Sequence, residues 1–181
     1  MDNWYVLSVK SGYEETVCEI INKTCNKDEY YAFTPRIKLR YKNLDNNIKI
    51  YKPMFQGYIF IKSNYKPEKS LTELMPIIKL SNCIIKLIGK DNLENMCLDT
   101  TEKDYILRFC DDKYLLKSSR GIIVGDKIII DSGPLRGLES NIKKIDRHKR
   151  KALIELSFLG DIRKINVPLE IVIKVVDRVV N

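Results

Sequence analysis

The sequence predicts an α+β domain, a mixed sheet flanked by helices, linked to a small all-β, five-stranded barrel. Helical and strand patterns alternate over residues 1–110, which is typical of an α+β core. A stretch with no clear period follows at 111–119 and predicts a linker. Short strands separated by turn residues then fill 120–181. The 181 residues are enough for two small domains.

The first domain begins with a strand and a helix. Asn3–Val9 is apolar, aromatic and β-branched, which predicts a strand. Ser11, with Glu14 three residues later, predicts a capping box at a helix start. The remaining patterns predict three further strands, Tyr30–Phe33, Tyr58–Ile61 and Ile84–Ile88. They also predict a hairpin of Ile37–Tyr41 and Ile48–Tyr51 with its tip at 43–47. Two more helices are expected, a short one from Pro67 through Met75 and one over Thr101–Cys110.

The second domain contains strands that follow one another quickly. Turn signals at Ser132–Pro134, Arg147–Arg150, Gly160 and Pro168 separate them. The expected strands are Lys127–Ile130, Ser140–Asp146, Ala152–Phe158, Ile162–Val167 and Ile171–Val175. A closed barrel is favoured over an open sheet because closure removes exposed edges from a very small core.

The charge of the chain is positive and unevenly distributed. Lys and Arg number 32 against 24 Asp and Glu, a net charge of +8. Residues 117–181 contain 14 basic and 8 acidic residues, so this part alone has a net charge of +6. A basic domain usually binds a polyanion, most often a nucleic acid. The alternative is a lysine-rich, solvated surface.

Several classes of protein are disfavoured. No apolar run approaches the length of a membrane span, and the N-terminus lacks the pattern of a signal peptide, so we expect a cytoplasmic protein. Five widely spaced cysteines without a C-x-x-C pair, together with one histidine, predict reduced thiols and neither metal nor cofactor. No phosphate loop, carboxylate pair or nucleophile–base pair is present, so we expect no enzyme.

Motifs in both domains resemble one family. Gly125–Asp146 contains a strand, Gly-Pro-x-x-Gly and a second strand, and it is similar to the KOW motif of the NusG family. The segments WYVLSVKSGYEETV, FTPRIKLRYK and MFQGYIFIK resemble the N-terminal domain of that family, and IELSFLGDIRKINVPLEIV resembles the closing strands of its SH3-like KOW barrel. The combination covers nearly the whole chain in the family's order.

The resemblance implies that the N-terminal domain, residues 1–110, binds the clamp helices of RNA polymerase. The positions that match the family's apolar docking surface are Tyr58, Phe60, Ile85 and Ile88. A contact with the polymerase gate loop would fall near Ser70–Leu74. An alternating strand can expose an aromatic pair on one face, although Tyr58 and Phe60 could instead belong to the core.

The basic run in the second turn of the KOW domain, residues 120–181, resembles the LoaP subgroup of antiterminators. For that subgroup the resemblance implies direct binding of a structured leader RNA. The candidate RNA-binding residues are Lys143, Lys144, Arg147, His148, Lys149, Arg150 and Lys151, with Arg163 and Lys164 on a neighbouring strand. Clustered Lys and Arg can engage phosphates. A solvated turn is the alternative.

Two departures from the family pattern leave other functions open. Ser140 replaces the glycine that usually enters the second KOW strand, and Leu159 replaces the aromatic residue that contacts the ribosome or Rho in NusG. A general NusG and a ribosome-associated RNA-binding protein are the rival interpretations. Contacts with non-template DNA stay open, and we expect a monomer. The β-branched run Ile128–Ile130 favours a permanent β-fold over one that switches to helices.

Overall fold

The computed structural model describes residues 3–42, 47–89 and 91–175. The chain divides into two compact units. The first comprises Met1–Arg36 and Lys52–Asp104, and the second comprises Ile37–Tyr51 and Tyr105–Asn181. The expected domains 1–110 and 120–181, with their linker, stay a prediction.

Eleven strands and three α-helices lie within the described residues. In chain order they are β1 Asn3–Val9, α1 Glu14–Thr24, β2 Tyr30–Phe33, β3 Arg36–Lys42, β4 Asn47–Pro53, β5 Tyr58–Ser63, α2 Pro67–Leu80, β6 Ile84–Leu87, α3 Thr100–Phe109, β7 Ser119–Val124, β8 Lys127–Ser132, β9 Ile142–Asp146, β10 Lys151–Phe158 and β11 Asp161–Val175.

The first unit is built on a four-stranded antiparallel sheet in the order β2-β5-β1-β6. Alternate residues of β1 and β5, including Tyr5, Leu7 and Ile59, are fully buried in a core that also contains Val17 of α1 and Leu74 of α2. This arrangement confirms the strands predicted from apolar, aromatic and β-branched runs and the mixed helix–strand composition of the first part of the chain.

Helix α1 begins at Glu14 and not at the predicted Ser11 cap. Its N-terminal flanking residue is Tyr13, which makes no side-chain capping hydrogen bond. The Glu14 carboxylate accepts hydrogen bonds from the backbone N–H of Gly12, at 2.8 Å, and of Gly57, at 2.7 Å. The capping-box prediction was wrong because a distant turn, residue 57, supplies a donor that local spacing cannot reveal.

Two further elements differ from the expectation. Helix α2 begins at Pro67 as predicted but continues through Pro76 to Leu80, so it is longer than the short helix expected. The predicted hairpin is formed by β3 and β4, and residues 43–46 of its tip lie outside the described residues.

The second unit contains a five-stranded sheet in the order β8-β7-β11-β10-β9. The predicted number of strands, five, is right only because two errors in the individual strands offset each other. Strand β7 was not predicted, whereas the two expected strands on either side of Pro168 form one long strand, β11. Up to Pro168, β11 pairs with β10, and from Leu169 it pairs in parallel with β7. The proline therefore marks a change of partner and not a chain break.

The predicted closure of this sheet into a barrel is not confirmed. Strands β8 and β9 form its two edges, and no pairing between them occurs within the described residues. Ser140, expected in a strand, lies in a short 3-10 turn, Glu139–Asn141, that precedes β9. Because this turn replaces the first residues of the predicted strand, β9 begins only at Ile142.

Candidate interaction surfaces

The sheet face of the first unit that turns away from α1 and α2 holds an aromatic cluster. The ring of Phe33 lies 5.3 Å from that of Trp4 and 5.7 Å from that of Phe60, and Phe55 is also 5.7 Å from Phe60. Trp4, Phe33 and Phe60 lie on β1, β2 and β5, with Phe60 paired to Phe33, and Phe55 lies between β4 and β5. The cluster gives this face a rigid, apolar support.

The predicted polymerase-binding residues lie beside this cluster. Phe60 and Val6 are paired, and the Val6 carbonyl accepts a hydrogen bond from Ile88 N–H, so Phe60 and Ile88 are two strands apart. Phe60 is fully buried, Tyr58 and Ile88 are half-buried, and Ile85 is 59% exposed. The expected exposed pair of Tyr58 and Phe60 was therefore wrong for Phe60, which supports the surface from within.

The segment expected near the polymerase gate loop lies on α2. Ser70 and Leu74 are fully buried, and the Ser70 hydroxyl lies 3.5 Å from the hydroxyl of Tyr30. Thr72 and Glu73, between them, are exposed. Any surface contact of this segment must therefore use the residues between the two buried positions.

Lys62 is a member of the aromatic face that the sequence patterns did not indicate. Its Nζ lies 4.6 Å from the centre of the Trp4 ring, which its strand pairing places opposite. Burial lowers the pKa of Lys62. A cation over an aromatic ring is stabilised by the ring quadrupole. Only the register of β1 and β5, which the sequence does not specify, could have revealed this contact.

The basic turn of the second unit, Arg147–Arg150, connects β9 to β10. Asp146 accepts a hydrogen bond from Lys149 N–H at 2.9 Å, and Arg150 has a φ of 48°. The Arg150 carbonyl accepts from Leu169 N–H at 3.0 Å, which ties the turn to β11. Arg147, His148, Lys149 and Arg150 are all exposed. A tightly bonded turn thus presents its basic side chains to solvent.

The other predicted RNA-binding residues divide between two faces of the sheet. Lys144 pairs with Leu153, and Lys164 pairs with Glu155, on the outer face. Lys143 occupies the irregularity in β9 and is exposed, whereas Lys151 is half-buried. Arg163 pairs with the buried Leu156, so it lies on the opposite face of the sheet from Lys164. Neighbouring residues of a strand point to opposite faces.

Acidic residues lie among these basic groups, which the sequence analysis missed. Glu155 forms ion pairs with Lys143 at 3.6 Å and Lys164 at 3.7 Å. Glu170 forms an ion pair with Arg150 at 3.6 Å. A signal was available in principle, because Glu155 occupies an outward position in the alternating strand β10.

The Gly-Pro-x-x-Gly turn at residues 133–137 is held by residues on both sides. Gly133 has a φ of 93°, and a Cβ atom there would lie 2.5 Å from the Cα of Ser119. The Ser119 hydroxyl accepts a hydrogen bond from Leu135 N–H at 3.0 Å. Arg108 donates to the carbonyls of Pro134, at 2.8 Å, and Arg136. This turn therefore has little freedom to rearrange around a ligand.

The structure also describes the groups considered for catalysis, metals and membranes. All five cysteines lie in the described ranges as free thiols, and burial raises the pKa of Cys18 and Cys110 to about 12, so thiolate is disfavoured at both. The described residues hold no group of three or more His, Cys, Asp or Glu side chains arranged for a metal ion. None of the described helices is long and apolar enough to span a membrane.

Comparison with known proteins places the chain in a family. Residues 2–102 match the NusG family model, described as transcription termination factor nusG. The transcription termination/antitermination protein NusG of Rickettsia bellii (strain RML369-C) is 21% identical over 166 residues, which cover 87% of this chain and 82% of that protein. Its counterpart from Rickettsia typhi (strain ATCC VR-144 / Wilmington) is 20% identical over 162 residues, with the same coverage. Because the family model matches more than half of the residues of this chain, the chain belongs to the NusG family.

Proposed function

We propose that the chain is a non-enzymatic transcription antitermination factor of the LoaP kind. It binds RNA polymerase through its N-terminal domain and a structured leader RNA through its KOW domain. The observation that carries this proposal is the exposed basic turn, Arg147–Arg150, on a unit with most of the excess positive charge. The relatives' name, termination/antitermination protein, supports the process. Such a factor acts in the cytoplasm, as a monomer.

The polymerase-binding surface in this proposal uses Ile85 and Ile88 at β6, with Tyr58 two strands away, in the row that Tyr58 forms with Ser8 of β1 and Lys86 of β6. An isoleucine that is 59% exposed next to half-buried apolar side chains is suited to receive an apolar projection, such as the tip of the clamp helices. Phe60 and the aromatic cluster lie beneath and keep this surface in one conformation. A gate-loop contact would use Thr72 and Glu73.

The RNA-binding surface begins at the basic turn. Its cations are exposed, and the turn is closed by the Asp146 and Leu169 hydrogen bonds. Cations on a turn whose backbone is held engage phosphates at a lower entropic cost than cations on a mobile loop. The ion pair between Arg150 and Glu170 is exposed, and exposed pairs are weak, so a phosphate can displace the carboxylate.

RNA binding is tested with the full-length protein and a leader transcript that contains a hairpin. The variant R147A/K149A/R150A removes three cations of the turn. Each phosphate contact contributes close to one unit to the dependence of log Kd on log salt. We therefore expect the slope to fall by about 2–3 and the affinity to fall at least about tenfold.

The matched control, K27A/K66A/K79A, removes the same charge from exposed lysines of the first unit. It should leave the affinity and the salt dependence nearly unchanged. If both triple variants weaken binding equally, the interaction reflects net charge alone, and the proposed RNA site is wrong. Unchanged binding by R147A/K149A/R150A would also exclude the site.

A further inference from the structure

The outer face of β9, β10 and β11 continues away from the basic turn as a surface of mixed chemistry. Lys151, Leu153 and Glu155 of β10 are half-buried, and they alternate with buried residues. Their partners form rows across the sheet. Leu153 lies between Lys144 and Asn166, Glu155 lies opposite Lys164, and Ser157 lies opposite Ile162. Ile162 is 73% exposed.

Glu155 occupies the middle of this face between two lysines. Its carboxylate oxygens lie 3.6 Å from Lys143 Nζ and 3.7 Å from Lys164 Nζ. The side chain of Glu155 is 28% exposed, compared with 48% for Lys143 and 67% for Lys164. The lysines therefore orient the carboxylate while one side of it stays accessible from solvent.

A carboxylate in this position disfavours a phosphate. It repels the phosphate charge and offsets one of the two lysine charges beside it, whereas in the turn Glu170 offsets Arg150 while Arg147 and Lys149 add two further exposed cations. Glu155 lies four residues along β10 from Lys151, about 13 Å at the usual rise of a strand. The backbone of an RNA bound to the turn can thus pass the end of this face while a neighbouring nucleotide reaches Glu155.

The groups around Glu155 match the edge of a base. A carboxylate only accepts hydrogen bonds, and a lysine only donates them. The Watson–Crick edge of an unpaired guanine has two neighbouring donors, N1–H and the N2 amino group, beside the acceptor O6. Proteins recognise such edges in single-stranded loops, where the bases are splayed out. Uracil has a single donor between two acceptors and matches this arrangement less well.

We infer that this face recognises an unpaired guanine in the RNA and that Glu155 is the specificity-determining residue. The inference rests on the proposed RNA-binding function and deepens it. Glu155 accepts from N1–H and the N2 amino group, Lys164 or Lys143 donates to O6, and Ile162 contacts the neighbouring base. The basic turn supplies affinity that does not depend on sequence, whereas this face supplies the sequence dependence.

The test uses the full-length protein and a hairpin RNA whose loop is uridine throughout or has central guanosines or inosines. Inosine lacks the N2 amino group of guanosine. We expect the guanosine loop to bind roughly 5- to 150-fold more tightly than the uridine loop, the usual range for one bidentate base contact, with inosine between them. Fluorescence anisotropy at fixed salt measures the three affinities.

The variant Glu155→Gln should reduce the preference for guanosine over uridine to about twofold or less, because the amide has one neutral acceptor oxygen in place of the two charged oxygens of the carboxylate. Affinity for the uridine loop should stay equal or increase, since a negative charge is removed. The matched control is Glu170→Gln, which also removes a carboxylate paired with a basic residue. It should raise affinity for every loop and keep the guanosine preference.

The outcomes separate this inference from the proposed function. Salt-dependent binding with equal affinity for all loops, or a guanosine preference retained by Glu155→Gln, overturns the role of Glu155 and leaves RNA binding intact. Failure to bind any of the hairpins or the leader transcript overturns both. Circular dichroism and thermal unfolding of each variant establish that a lost preference does not reflect a lost fold.

Discussion

Glu14 connects the start of α1 to the turn that enters β5. Its carboxylate accepts from two backbone N–H groups, those of Gly12 and Gly57, and the residue is only 3% exposed. Gly57 has a φ of 79°, and its own carbonyl accepts from Val9 N–H at 2.9 Å. The Glu14 side chain thus joins the turn that precedes Tyr58 to the start of α1.

Removing this carboxylate should destabilise the protein. Glu14→Ala leaves the buried N–H of Gly57 without an acceptor and removes the hydrogen bond from the exposed Gly12, which together cost about 2–4 kcal/mol in the free energy of unfolding. Glu15→Ala, the control, breaks only an exposed ion pair with Arg36 and should cost at most about 1 kcal/mol. Urea unfolding followed by circular dichroism compares them, and equal losses would show that the two hydrogen bonds do not stabilise the turn.

At the level of elements, β11 shows what the sequence could and could not indicate. Runs of apolar, aromatic and β-branched residues predicted β1, β5 and β10 nearly to their bounds, because these strands contribute buried side chains to a core. Pro168 was interpreted as a break, since a proline lacks the N–H that a strand needs. The strand continues because it changes partner there, which is a tertiary property.

The candidate sites show the same limit. The basic turn was recognisable because its residues are consecutive in the chain. The roles of Phe60, Lys62 and Glu155 depend on which strands are neighbours and in which register, and a single sequence does not specify either. The family pattern pointed to β5 for the proposed polymerase surface, but it did not indicate the burial of Phe60.

The turn at Gly133 should tolerate no side chain. Gly133→Ala places a methyl group at positive φ and 2.5 Å from the Cα of Ser119, so we expect a loss of about 3 kcal/mol or more. Gly160→Ala, at a φ of 75° with no atom within 4 Å of the added Cβ, isolates the backbone effect at about 1–2 kcal/mol. Thermal unfolding of both variants gives the comparison, and equal destabilisation would mean that the turn moves away from Ser119.

For the whole molecule, the two proposed surfaces differ in chemistry. The first unit contributes an apolar surface at Ile85 over a buried aromatic cluster, and the second contributes a basic turn and a mixed polar face. The net charge of +8 resides mostly in residues 117–181. A protein with both surfaces can link RNA polymerase to the RNA that the polymerase has just transcribed.

The most direct test of this account is in vitro transcription by RNA polymerase through an intrinsic terminator, with and without the leader sequence upstream. We predict that the full-length protein increases read-through only on the template with the leader. The R147A/K149A/R150A variant should lose this effect, and Ile85→Asp should lose it while still binding RNA. Termination that the protein leaves unchanged on both templates, or read-through that requires neither the leader nor the basic turn, would contradict the account.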